Sequence, residues 1–313
     1  MDHKLYLSDP GIFKKKNHYY FNKTGSPVSS LTLLNVLNSI KVPPAWENVW
    51  YASNKRCHII AHGVDSIGKK QYILSERWIN NSRSLKYNRM KSFIKNINSF
   101  KRLIVLSRSR TDSGQIDREN LIKLLFNLLI DTHLRVGNEK YAEGNRTYGL
   151  TTLRQKHLID HGDHFRFSFI GKSKIPHNVI VPPEYSYFLR KLILPNKEKP
   201  LFWYTANNKM KTIDSEELNY FLKDHMGKEY TCKDFRTWSA NIVFINAFLK
   251  NSKKDKGKKV VLQSIDESAR ELGHTRNISR KSYISNTLLD YCLDSFDKAS
   301  VDTKESLLSK VWS

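Results

Sequence analysis

The rhythm of apolar and polar positions changes about a quarter of the way along the chain. Up to about residue 80, apolar residues come in short alternating runs, such as CHIIAHG at Cys57–Gly63 and QYIL at Gln71–Leu74, separated by the turn-forming DSIGKK. Alternation on both sides of a glycine-containing turn predicts a β-hairpin. One helical stretch, SSLTLLNVLNSI from Ser29 to Ile40, interrupts the strands. It has to stop before Pro43 and Pro44, because a residue that precedes proline is pushed out of helical geometry.

From Trp78 onward the apolar spacing lengthens to helical steps, with RSRTDSGQ at Arg108–Gln115 as a polar break. A helix is expected from about Asp117 to Leu134. Its Leu121, Leu124, Leu125, Leu128, Leu129 and Ile130 make it apolar on most sides, which places it inside a core. FRFSFIGKSKIPHNVIV sets Phe165, Phe167 and Phe169 two apart, turns at GKSK and resumes with Ile175, Val179 and Val181, predicting a hairpin with Lys172 at its tip. Thr231 and Asp234 have capping-box spacing ahead of the stripe Phe235, Trp238, Ile242, Ile245 and Leu249. Ser264 and Glu267 share that spacing and predict a short helix ending at Gly273, from whose turn His274 projects. Between these helices NSKKDKGKKV, Asn251–Val260, is mostly lysine without apolar period and reads as a loop near a polyanion. A last amphipathic helix carries Ile284, Leu288 and Tyr291 on one face, with Tyr283 near its start. The expected fold class is therefore α+β: a small strand-rich N-terminal domain, residues 1–80, and a larger, mainly helical domain, residues 81–313.

Charge narrows the function. Lys and Arg number 53 against 30 Asp and Glu, and a net charge of +23 repels itself unless an anionic partner neutralises it. Nucleic acid is the first candidate. No segment approaches the ~18 uninterrupted apolar residues of a membrane span, and the first twenty residues show no apolar signal core with a cleavage site, so an intracellular protein away from membranes is expected. Cys57, Cys232 and Cys292 are far apart and read as reduced thiols packed as small hydrophobes. His157, His161 and His164 in KHLIDHGDH have neither an HExxH pattern nor a cysteine pair and read as a solvated turn; no metal site and no cofactor is expected.

Five residues fall at points of structural punctuation: Arg135 at a helix end, Lys172 at a hairpin tip, then Arg236, His274 and Tyr283. Taken singly, an arginine at a helix C-terminus complements the dipole, a turn lysine is solvated and a helix tyrosine belongs to the core. Taken together they supply a nucleophile, donors for a dianion-like transition state and an acid for a leaving oxygen, the needs of phosphodiester transesterification.

HGVDSIGKKQY, LRVGNEKY, FIGKSK, KDFRTWSAN and LGHTRNISRKSY occur in this order, and by these segments the chain resembles the type IB topoisomerases of poxviruses and their compact relatives in bacteria and other large DNA viruses. The resemblance spans nearly the whole chain. It implies a monomeric clamp around duplex DNA in which Tyr283 attacks a backbone phosphorus and retains the 3′-phosphate. Arg135, Arg236 and His274 would contact nonbridging oxygens, and Lys172 would protonate the leaving 5′-oxygen. Cofactors, ATP and an obligatory metal are not implied, and Gln71, Tyr72, Tyr141, Lys233 and Asn241 fall where the resemblance puts DNA contacts. Asn138 departs from the poxvirus pattern, which carries a base-contacting lysine there, so target preference is left open. Two alternatives remain. Tyrosine recombinases share the catalytic set but carry a histidine where this chain has Lys233, and a noncatalytic basic DNA-binding protein could retain the fold.

Overall fold

The computed structural model describes residues 6–15, 17–107, 116–253, 257–294 and 307. The chain divides into two units, Met1–Lys86 and Tyr87–Ser313, and the division falls inside a helix rather than in a linker. The polar stretch Arg108–Gln115 lies outside the described residues, as do residues 254–256 of the lysine-rich segment.

In the first unit, Ile12–Lys15 (β1), His18–Phe21 (β2), Glu47–Tyr51 (β3), Ile59–Val64 (β4) and Lys70–Leu74 (β5) form an antiparallel sheet in the order β2-β1-β3-β4-β5. The anticipated hairpin is β4–β5, with His62 opposite Tyr72 and Gly63 opposite Gln71. Asp65 closes its turn by accepting from the N–H groups of Ile67 and Lys69. The helix Leu31–Ser39 (α1) is capped by Ser30 and packs Leu33, Leu34 and Leu37 with Tyr51, Ala61 and Ile73 of the sheet. Because strand neighbours point to opposite faces, Trp50, His62 and Tyr72 take the other face, where the Trp50 and His62 rings stack 5.0 Å apart.

The second unit is mainly helical. The helix Glu76–Leu103 (α2) contains the division, and its later part places Met90, Phe93, Ile97 and Phe100, three or four apart, in the core. Arg118–Thr132 (α3) matches the expected core helix: Asp117 caps it, ten of its fifteen residues are buried, and it stops at His133 in the left-handed region (φ 55°). Glu139–Asn145 (α4) follows; Asn138 is its N-cap, its side chain accepting from Lys140 N–H. Leu158–Asp160 (β6), Phe165–Ile170 (β7) and Pro176–Ile180 (β8) make a three-stranded sheet in which β7 and β8 are the anticipated hairpin, with Phe165, Phe167 and Phe169 all buried. Further along come Ser186–Arg190 (α5), the paired strands Trp203–Ala206 (β9) and Lys209–Thr212 (β10), and Ser215–His225 (α6).

Cys232–Asn251 (α7) opens with the expected capping box: Thr231 N–H donates to Asp234, whose carboxylate also pairs with Arg89 at 2.8 Å. Its buried stripe is displaced from the expected one. Phe235, Ile245, Phe244 and Phe248 are buried, whereas Trp238, Ile242 and Leu249 are only half-buried. Three expectations are corrected downstream. The next helix, Lys258–Glu271 (α8), starts six residues before Ser264, which is no cap: its hydroxyl donates back to the Val260 carbonyl within the helix. The lysine-rich segment is accordingly helical from Lys258. Tyr283 lies three residues ahead of the last helix, and Ile284, expected on that helix, precedes it as well. A single helical turn, Arg276–Ile278, passes into a π-helical turn, Ser279–Tyr283; the chain then extends at Ile284 before Asn286–Asp294 (α9). Gly273, at φ 62°, does end α8 in the expected left-handed conformation. All three cysteines are buried and outside any disulfide.

Candidate active site

Four of the five candidate residues converge. Arg135 sits just beyond α3, where the backbone is clamped by a close approach: Leu150 N–H donates to the Arg135 carbonyl at 2.7 Å and Thr151 N–H to the Val136 carbonyl at 2.6 Å. Gly137 (φ 115°) and Gly149 permit this, since a Cβ on Gly149 would lie 2.6 Å from the Gly137 Cα. Arg236, on the first turns of α7, is 6% exposed. Its Nη1 donates to the His133 carbonyl at 2.6 Å and its Nη2 to the Leu272 carbonyl, so one guanidinium ties the segment bearing Arg135 to the one bearing His274. The His274 and Tyr283 rings stack with centroids 4.9 Å apart and planes 2° from parallel, and the Arg236 guanidinium carbon lies 5.6 Å from the Tyr283 centroid.

The electrostatics follow from this crowding. Burial drives the His274 imidazole down to about 4, and the charges of Arg236 and Arg135 push the same way, so His274 is neutral at physiological pH. Burial also lowers Arg236 to about 10, with repulsion from Arg135 adding to it and attraction to Tyr283 offsetting part. For Tyr283 the balance reverses. Burial raises the phenol, but the two arginines outweigh it and hold it below its usual value of 10. Three buried donor or acceptor atoms beside the phenol, Arg236 Nε and both His274 ring nitrogens, have no hydrogen bond of good geometry, the Thr275 backbone offering His274 only a weak interaction. Buried polar atoms are ordinarily paired, so a cluster left open next to a reactive oxygen fits an incoming anion.

Lys172 is exposed in the turn between β7 and β8. Its neighbour Gly171 packs on His177, whose other edge packs on Gly273. Among the proposed DNA contacts, Tyr72 and Tyr141 are about half exposed, at 50% and 52%, and Lys233 is exposed on the first turn of α7. Gln71 and Tyr72, which belong to the first unit, point to opposite faces of β5, and Gln71 donates to Asp65 at 2.7 Å. Asn241 is a correction. It is fully buried, its Nδ2 donates to the carbonyls of Thr237 and Tyr283, and its Oδ1 accepts from Ser285 N–H at 2.9 Å, leaving no group to meet DNA. It holds the backbone of Tyr283 in place instead, together with Tyr87, whose hydroxyl donates to the Ile284 carbonyl at 2.7 Å. Asn241→Ala leaves the buried Ser285 N–H unpaired. A loss of about 1–3 kcal/mol in thermal or urea unfolding is expected, with slower action at Tyr283; unchanged stability would show that water replaces the amide.

The histidine-rich stretch also differs from expectation. His157 is buried against Tyr148 (centroids 4.3 Å apart), accepts from Arg154 N–H and is pushed down to about 4 by burial, whereas His161 and His164 stack at the turn. Among the described residues no group of three or more His, Cys, Asp or Glu could hold a metal ion, and no helix is long and apolar enough to cross a membrane. Sequence reasoning missed His133, His177 and Tyr87. None has a spacing signal, because each reaches the site from a different segment.

A tyrosine with a lowered phenol, set among two arginines and a histidine on a mainly helical unit, is equipment for transesterification at a phosphate. The chain matches the family model of the eukaryotic DNA topoisomerase I catalytic core over residues 75–306, and that of the bacterial DNA topoisomerase IB N-terminal domain over residues 17–65. DNA topoisomerase 1B of Acanthamoeba polyphaga mimivirus is 31% identical over 295 residues, covering 90% of this chain and 87% of that protein. DNA topoisomerase I of monkeypox virus is 29% identical, covering 98% and 96%. A XerH site-specific recombinase bound to a palindromic difH substrate is a distant structural neighbour, with 15% identity, TM-score 0.37, and coverage of 75% of this chain and 60% of that one. The chain belongs to the type IB DNA topoisomerase family.

Proposed function

We propose that the chain relaxes supercoiled duplex DNA by cutting one strand through Tyr283, allowing the free end to rotate and resealing it. The Tyr283 phenolate attacks a backbone phosphorus, the bond to the 5′-oxygen breaks, and the 3′-phosphate is retained as a phosphotyrosine. Re-attack by the 5′-hydroxyl reverses the step. The bond energy stays in the phosphotyrosine, so no ATP is consumed, and protein cations take the place of a metal. The observation that carries this reading is the lowered Tyr283 phenol beside the open Arg236 Nε and the two open His274 nitrogens. Arg135 and Arg236 bind nonbridging oxygens, neutral His274 donates one hydrogen bond, and Lys172, on its exposed turn, swings in to protonate the leaving oxygen. Gln71, Tyr72, Tyr141 and Lys233 contact the duplex, and the protein acts as an intracellular monomer. The first test is negatively supercoiled plasmid in EDTA without ATP, followed by denaturation. Relaxation with protein attached to DNA 3′ ends supports the reading; strand exchange at a specific site without relaxation indicates a recombinase, and neither activity a noncatalytic DNA-binding protein.

Two further outcomes are expected. Lys172→Ala slows cleavage by about 10²–10⁴-fold, and a substrate with sulfur in place of the 5′-bridging oxygen restores most of the rate, because a thiolate leaves without an acid. A deficit of equal size on both substrates would disqualify Lys172 as the acid. Duplex binding falls steeply with salt, since a net charge of +23 draws its affinity largely from counterion release. If roughly 6–10 phosphates are contacted, affinity drops about 10³–10⁵-fold between 50 and 200 mM salt; a flat titration would contradict charge-driven binding.

A further inference from the structure

We propose that His177 is a positioning residue, a flat spacer that sets the Lys172 turn against the turn carrying His274. This rests on Lys172 being the general acid. Three surfaces of the ring are fixed. A Cβ on Gly171 would lie 2.5 Å from its Cδ2, a Cβ on Gly273 would lie 2.5 Å from its Cε1, and its face stacks on Phe169 with centroids 5.0 Å apart and planes 10° from parallel. Phe169 is itself buried in the core, so the ring is anchored from behind. Lys172 directly follows Gly171 and His274 directly follows Gly273, so the imidazole separates the two backbone segments that carry a proton donor and a phosphate donor.

The glycines support this assignment. Gly171, at φ −95° and ψ −169°, has a backbone that any residue adopts; what excludes a side chain there is the imidazole. Burial lowers His177 to about 4, with Arg135 and Arg236 acting in the same direction, so the ring stays neutral and adds no third charge to the site. The Lys172 side chain is exposed and reaches the leaving oxygen only from a turn held at the right distance, and a misplacement of about 1 Å can cost about 10²-fold in rate.

The experiment is single-turnover cleavage of a duplex oligonucleotide by the full chain, using substrates with oxygen or sulfur at the 5′-bridging position. His177→Ala is expected to slow cleavage of the oxygen substrate by about 10–100-fold and to recover on the sulfur substrate, as Lys172→Ala does. The His177→Ala/Lys172→Ala double variant should be no slower than Lys172→Ala alone, because one residue acts through the other. Gly171→Ala approaches from the opposite side: its methyl group meets the imidazole, displaces the turn and reproduces the defect on the oxygen substrate, with the same recovery on sulfur. A His177→Ala deficit that persists on sulfur or multiplies with that of Lys172→Ala would overturn the proposal while leaving Lys172 as the acid. Failure of sulfur to rescue Lys172→Ala itself would instead remove the reading on which the proposal rests.

Discussion

Tyr283→Phe is expected to abolish strand cleavage, by about 10⁴-fold or more, and to leave duplex binding and folding largely intact. The substitution removes one oxygen. The ring that stacks on His274 at 4.9 Å and faces the Arg236 guanidinium at 5.6 Å remains, so the packing of the site survives. Only the nucleophile is lost, together with the partial negative charge that offsets repulsion between Arg236 and Arg135. Single-turnover cleavage with an end-labelled duplex, run beside an anisotropy titration, checks this. A covalent adduct that persists in Tyr283→Phe would name another nucleophile, and loss of binding with a lowered Tm would make Tyr283 a structural residue.

Arg236→Ala is expected to show two separable effects. Stability should fall by about 1–3 kcal/mol, because the His133 and Leu272 carbonyls lose the guanidinium that satisfies them in a buried setting. Cleavage should slow by about 10²–10³-fold, the usual loss when one donor to a developing oxyanion is removed. The pH dependence separates the electrostatic part. Arg236 is the larger of the two charges' influences that hold the Tyr283 phenol below 10; without it burial gains ground and the phenol rises. The rising limb of cleavage rate against pH should therefore move to higher pH in Arg236→Ala, and move less in Arg236→Lys, which keeps a charge but not the fork. A rate profile that drops without moving would mean that Arg236 binds phosphate but does not activate the tyrosine.

Much of the architecture is legible in the one-dimensional pattern because it is set by local rules. Leucines on most sides of Arg118–Thr132 announce a buried helix, alternating phenylalanines announce β7, and Thr231 with Asp234 announces the start of α7. The same rule misleads at Ser264 and Glu267, where capping-box spacing falls inside α8 because Val260, Val261 and Ile265 already bury a face that begins earlier. The stripe on α7 is displaced for a related reason. Which of several apolar rows is fully buried depends on the helices packed against it: Phe244 and Phe248 are inside the core, whereas Leu249 is only partly buried against it and Ile242 is not part of it.

By itself the sequence determined the two-part α+β organisation, the affinity for a polyanion implied by +23, and the identities of a tyrosine, two arginines, a histidine and a lysine suited to transesterification. These depend on residue type, composition and spacing along one segment. The tertiary structure alone decided that Arg236 bridges the His133 and Leu272 carbonyls, that Asn241 and Tyr87 grip the backbone around Tyr283, and that His177 lies between two glycines 102 positions apart (273 − 171). Such contacts join segments with no shared periodicity. Their physical basis is burial: only when the segments meet and water is excluded do two cations outweigh the cost of placing a phenol among them and hold it below its usual value.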